Sequence, residues 1–184
     1  MDGVIGSLPP PQFTPEEQED FENYRRARRE EREKFRDRKD KQVSDWCKCG
    51  FCAVMDTDRE CFCCNESECI SQIRTGEAIN CITKSSDFIE WVTRKTCLNA
   101  DRNDKVLKGK RAYNSNRSAT WRHLAYSKFI SWLRAETLFG EQGRFHRFVI
   151  PACVVHSIRT KYPSEDGIYK GFKASRGQLA KYPA

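Results

Sequence analysis

The stretch from Trp46 to Cys64 reads WCKCGFCAVMDTDRECFCC and holds Cys47, Cys49, Cys52, Cys61, Cys63 and Cys64, six of the chain's ten cysteines. Thiolate sulfur is a strong ligand for zinc, which takes four such donors in a tetrahedron at about 2.3 Å. Cys47-Lys48-Cys49 followed by Gly50-Phe51-Cys52 makes a knuckle. Gly50 permits the positive φ that turns neighbouring sulfurs toward one point. The adjacent Cys63 and Cys64 suit a single ion poorly, because neighbouring side chains diverge. Two ions side by side, each taking one member of the pair, resolve the difficulty. The stretch therefore reads as half of a two-zinc thiolate cluster, closed by cysteines from further along the chain.

The alternative is the disulfide framework of a secreted domain. The N-terminus MDGVIGSLPPPQF has neither a basic start nor an apolar run of signal-peptide length. A chain kept in a reducing compartment retains its thiols, and its cysteine clusters more often bind metal. Some of the ten are expected to be ordinary buried cysteines. With 184 residues, 38% hydrophobic and 32% charged, the chain has room for one domain plus tails and a small core, so a metal staple is physically useful. No run of eighteen apolar residues exists, which speaks against a membrane-spanning helix. Charge is uneven: residues 1–45 carry a net −2 and residues 105–184 a net +12.

The elements that must position the cysteines are mostly helical. Residues 1–13, with three consecutive prolines, read as a disordered leader. Residues 14–45 read as a charged helix of coiled-coil-like composition, capped by Thr14 with Pro15 first and Glu17 three residues after the cap. Only Phe21, Tyr24 and Phe35 there are large and apolar. Interleaved acids around Arg25-Arg26 and Arg28-Arg29 favour a solvated helix over an RNA-binding or nuclear-import run. This segment is expected to be dispensable for folding. Residues 65–80 read as a polar loop containing Cys69. Phe88, Trp91 and Val92 fall on one face of a short helix opened by Ser85-Ser86-Asp87. Residues 101–118 read as a long polar loop with a weak helix around Val106-Leu107. Residues 119–135 form the best amphipathic helix, with Trp121, Leu124, Ala125, Phe129, Trp132 and Leu133 on its core face. Residues 139–143 are a turn, and a helix opened by Pro151 points Val154, Val155 and Ile158 inward and ends before Pro163.

Seven stretches, WCKCGFCAVM (46–55), CCNE (63–66), CIT (81–83), WRHLAY (121–126), VIPACVV (149–155), IRTKYPSEDG (158–167) and YKGF (169–172), resemble one family in its own order. It is the intracellular C-terminal ballast domain of P2X purinoceptor 7, together with stand-alone proteins that carry only that domain. The resemblance covers about residues 46–173 and leaves the charged helix outside it. It also leaves out the receptor's transmembrane helices and ATP-binding ectodomain, so a channel is not expected. It implies a mainly α fold with little β, a small irregular zinc-stapled domain over residues 46–175 with a tail at 176–184. The ligands it implies for two zinc ions are Cys47, Cys49, Cys52, Cys63, Cys64, Cys81 and Cys153. Seven thiolates fill eight positions if one bridges, or if a backbone carbonyl near Met55 supplies one. Cys61, Cys69 and Cys97 fall off the family motifs, with Cys61 the nearest substitute. Seven thiolates and two Zn²⁺ would lower the formal +7 to about +4.

The resemblance further implies a guanine-nucleotide site on Arg122, His123 and Tyr126, with an aromatic plane for the base and cationic donors for phosphate. Two departures bear on it: a family Arg falls on Val155 and a family Lys on Ser164, where Lys161 is a possible compensation. No phosphate loop of the GxxxxGK[ST] type is present. The expected function is a zinc-binding cytoplasmic interaction module for guanine nucleotide (GDP or GTP) and an unidentified protein partner. The nucleus is the alternative compartment. The rival reading is a basic zinc protein that binds nucleic acid, though no finger pattern accompanies the cysteines. An all-thiolate metal has no open position and no catalytic Ser-His-Asp or Cys-His spacing occurs, so no enzyme is expected.

Overall fold

In the computed structural model, residues 14–73, 79–136 and 149–169 are described. The leader, the turn at 139–143, residues 170–172 of YKGF and the 176–184 tail lie outside them. The chain divides into two compact parts, Met1–Arg36 and Asp37–Ala184.

The first part holds helix α1, Pro15–Lys34. Thr14 Oγ1 accepts from Glu17 N at 3.3 Å while Glu17 Oε2 accepts from Thr14 N at 2.9 Å, so two orphan donors of the first turn are satisfied reciprocally. The backbone hydrogen bond from Thr14 holds the Glu17 carboxyl below its ordinary value. Among the described side chains of α1 all but Phe21 are exposed, and Arg25 lies 5.6 Å over the Phe21 ring. A helix polar all round has no apolar seam for a coiled coil. The charged helix ends at Lys34, short of the expected residue 45.

The second part begins at Asp37, whose φ of 59° takes the left-handed conformation that lets the chain leave a helix. Its helices are α2 (Val43–Trp46), α3 (Glu68–Ile73), α4 (Lys95–Leu107), α5 (Ser118–Glu136) and α6 (Ala152–Lys161), with a π-helical segment at Phe88–Thr93. Among the described residues there is no strand. The fold is mainly α, as the sequence implies. Helix α5 is the spine and packs against the π-helical segment, α4 and α6. All six of its expected core residues are buried. Phe129 meets Phe88 and Trp132 edge-on, each at 6.2 Å, and Trp121 stacks on Tyr162 at 6.5 Å. Offset and edge contacts of this kind add to the burial of large rings.

Four sequence expectations are corrected. Residues 65–80 contain helix α3, with Ile70 fully buried and Ser67 Oγ accepting from Ile70 N. Six residues are too few to display a helical period. Residues 101–118 are not a long loop, because α4 runs to Leu107. Asp101 pairs with Lys128 of α5 at 3.1 Å, and Arg102 donates to the carbonyls of Tyr113 and Asn114. Tertiary contacts support this helix where intrinsic pattern is weak. Trp91 is exposed, whereas Phe88 and Val92 are buried. The wider π turn keeps i and i+4 together and swings i+3 away. Pro151 stands at the N-cap of α6, one position ahead of the expected one.

The second part also includes residues assigned to the dispensable segment. Arg38 binds Glu66 through two bonds of 2.8 Å, with side chains 12% and 13% exposed, and Lys39 N donates to Asp58. A chain starting at Ser44 removes this pair, whereas one starting at Asp37 keeps it. Thermal or urea melts should show the Ser44 start weaker than the Asp37 start by about 3 kcal/mol, the scale for breaking a largely buried ion pair. Equal midpoints would place the domain boundary at residue 44 or beyond.

Candidate metal centre

Each cysteine reaches the centre by a specific local device. Trp46 anchors α2 in the core, and Cys47 N donates to Val43 O at 2.8 Å, which fixes where the knuckle starts. Gly50 has the expected positive φ of 78°, with open space where a side chain would begin. Cys63 is extended (φ −84°, ψ 144°), and Cys64 opens a 3-10 turn, Cys64–Glu66. This change of backbone conformation between neighbours lets their sulfurs point to different places. Cys81 is extended ahead of another 3-10 turn, Ile82–Lys84, and its Sγ lies 3.1 Å from Thr83 Oγ1. Cys153 sits in the first turn of α6.

The sulfurs collect into two groups. Cys47, Cys49, Cys52 and Cys63 form one, and Cys49, Cys64, Cys81 and Cys153 the other, with all ligand atoms of a group within 4.8 Å of one another. Cys49 belongs to both. The seven residues named from the family resemblance are therefore brought together. Cys63 and Cys64 fall in different groups. Sulfur separations are 3.7 Å for Cys47–Cys49, 3.7 Å for Cys49–Cys52 and 3.9 Å for Cys64–Cys81. A disulfide needs about 2.05 Å, and all ten thiols are free. Either group could hold a metal ion.

Thiols this close cannot ionise independently. Cys153 pulls Cys49 down to about 7. Contacts with Cys49, Cys52 and Cys64 hold Cys63 well below the usual thiol range, and those with Cys153, Cys49 and Cys64 do the same for Cys81. Cys153 is pushed up, because Cys49, Cys52, Cys64 and Cys81 crowd the same space. A divalent cation among them would take the place of their protons, since coordinated sulfur is deprotonated.

Two supports were not legible in the sequence. The Arg38 guanidinium donates to both Glu66 oxygens and to Cys61 O, while Glu66 Oε2 also accepts from Cys63 N at 2.9 Å. This pair fixes the turn that presents Cys63 and Cys64, and Glu66 raises the Arg38 pKa in return. Ala152 N donates to Phe62 O at 2.8 Å, clipping the start of α6 to the same turn. Glu66 within CCNE was a local signal; Arg38, 28 residues away, gave none.

Cys61, Cys69 and Cys97 join neither group. Cys61 is buried and its Sγ accepts from Met55 N at 3.4 Å, so it supports the backbone beside the knuckle. Burial pushes its thiol up.

The residues implied for a nucleotide separate on two sides of α5. Arg122 donates to Tyr162 O at 2.7 Å and lies 5.1 Å over the Tyr169 ring. Arg159 lies 4.5 Å over the same ring, and burial raises the Tyr126 pKa while Arg159 and Arg122 pull it down. His123 instead packs against Tyr113 at 5.7 Å, and partial burial, then Lys105, lower its pKa. Val155 is buried in the core, and Ser164 Oγ donates to Asp166 at 2.6 Å. Lys161 Nζ is taken up by Thr93 Oγ1 at 3.3 Å.

Fold and site together define a small helical domain whose turns, with the start of α6, converge on a shared thiol cluster able to hold metal. The family model of the P2X purinoreceptor 7 intracellular domain matches residues 4–173, and the chain belongs to that family. The match takes in the charged helix, so the family extends well ahead of residue 46, the start expected from the motifs. Among curated proteins, P2X purinoceptor 7 of the mouse (Mus musculus) is 28% identical over 131 residues, 70% of this chain. That stretch is 20% of the receptor's length. No helix among the described residues is long and apolar enough to cross a membrane.

The Arg38–Glu66 pair generates a direct test. Arg38→Met leaves the Glu66 carboxylate largely buried without its guanidinium and should cost about 3 kcal/mol in urea unfolding. Adding Glu66→Gln should recover part of that loss, since the uncompensated charge is gone. Additive losses in the double variant would show that the two side chains act independently.

Proposed function

We propose that the chain is a binding module held together by two zinc ions. Cys47, Cys49, Cys52 and Cys63 hold one; Cys49, Cys64, Cys81 and Cys153 hold the other, with Cys49 bridging. The observation that carries this reading is the sulfur spacing. Zinc–sulfur bonds of about 2.3 Å in a tetrahedron require sulfurs about 3.8 Å apart, and the recorded separations are 3.7, 3.7 and 3.9 Å. Sharing Cys49 supplies eight positions from seven thiolates, which removes the need for a carbonyl near Met55. With every position filled by sulfur, the metal's role is structural rather than catalytic.

Native mass spectrometry of protein purified without chelator should find two zinc ions per chain. A content near zero, or a chain with cystines, would overturn the reading. Cys64→Ser and Cys153→Ser should abolish cooperative folding, because metal-binding energy is folding energy in such domains. Cys97→Ser should be close to neutral.

A second reading concerns the flank of α5. Arg122, Arg159, Tyr126 and Tyr169 bring two guanidinium groups and two aromatic rings together, chemistry that suits a guanine base and its phosphates. Arg122 would exchange its Tyr162 carbonyl contact for the ligand. On this reading GDP raises the melting temperature, and Arg122→Ala weakens binding by about ten- to a hundredfold without altering zinc content. No shift at millimolar GDP would exclude it. Steeply salt-dependent oligonucleotide binding that ignores Arg122 would favour the nucleic-acid alternative.

A further inference from the structure

The two sulfur groups sit in different surroundings. In the group of Cys64, Cys81, Cys153 and Cys49, every residue is buried. Cys64 and Cys81 are set by 3-10 turns and Cys153 by the first turn of α6, itself tied to Phe62 O. The other group includes Cys47 and Cys52, both partly exposed. Its knuckle is held differently. Lys48 to Val54 exchange no backbone hydrogen bond with any described residue. Gly50 faces open space, Phe51 and Val54 are exposed, and Lys84 rests over the Phe51 ring at 4.4 Å. Apart from that contact, its two ends and the packing of Ala53 against the core, the knuckle is fastened by its own sulfurs. Segments with few backbone bonds and little buried apolar surface open first.

We propose that the outer site is an exchangeable metal site: the folded protein gives up and takes back one ion while the inner ion stays. This rests on the two-zinc reading. Cys49 is what makes it workable. When the outer ion leaves, Cys49 remains with Cys64, Cys81 and Cys153, so the inner ion keeps four sulfurs and the helices keep their staple. The side chains of Cys47 and Cys52 turn outward on either side of Cys49, which stays in place, and take up protons. Cys63 stays in place because Glu66 and Arg38 hold its backbone. The ligand class is a thiophilic divalent cation. A protein of this build can load or unload one equivalent in response to metal supply without unfolding.

The test uses the full chain as purified, incubated with a zinc chelator and iodoacetamide. Zinc content, helical circular dichroism and the alkylation of each cysteine are followed in time. One equivalent should leave first with the helical signal unchanged. Cys47 and Cys52 should alkylate at least about tenfold faster than Cys64, Cys81 and Cys153, which wait for larger openings. The second equivalent should leave only with loss of the helical signal. Release of both ions in one phase together with unfolding would overturn the inference while leaving the two-zinc reading intact. So would alkylation of Cys81 or Cys153 as early as that of Cys47. Absence of zinc at the outset would overturn the two-zinc reading itself. As a second measurement, the double variant Cys47→Ser, Cys52→Ser should fold and hold one ion; loss of both ions would count against the proposal.

Discussion

Seven thiols gathered within a few ångströms, most of them out of water, impose the constraint on which the second part of this protein depends. Burial disfavours thiolate and proximity makes each anion oppose the next. Positive charge among the sulfurs would relieve both, which is what a shared pair of metal sites could provide. The cost of placing sulfurs there explains the surrounding hydrogen bonds. Arg38 and Glu66 hold the turn at Cys63, Phe62 O holds the start of α6, and Cys61 braces Met55.

The helical layer supplies what the cysteines cannot. Knuckles and 3-10 turns bury little apolar surface, and a chain with 38% hydrophobic residues has few to spare. Helix α5 concentrates them: Leu124, Phe129 and Leu133 are essentially inaccessible and share one core with Phe88, Leu98 and Ile158, all fully buried. Helix α6 belongs to both systems. Its inward face packs on this core through Val154 and Ile158, while its first turn delivers Cys153. The thiol cluster and the core packing are thus coupled through the ten residues of α6.

That coupling also bears on Arg122. On α5 it bonds the carbonyl of Tyr162, the residue that closes α6 and whose hydroxyl donates to Thr93 O at 2.8 Å. A cation that reads as ligand-facing by its position on the helix also has a structural partner. Val155 shows the converse: where the family resemblance implies a cation, this chain has a buried aliphatic side chain.

The sequence alone determined the chemistry and the helical spine. Ten cysteines with a Gly-containing knuckle, the Thr14–Glu17 cap and the 3.6-residue period of α5 are local signals, each legible within a few turns. The assignment of seven particular cysteines came from family motifs, because spacing cannot tell how residues 47, 81 and 153 meet. Only the tertiary structure decided that Cys49 is shared, that Cys61 stands outside, that Arg38 belongs to the cluster's support and that Trp91 faces outward. These depend on where distant segments cross and, for Trp91, on a π turn that packing selects over an α turn. Sequence fixes which groups can bond; the fold decides which of them come within reach.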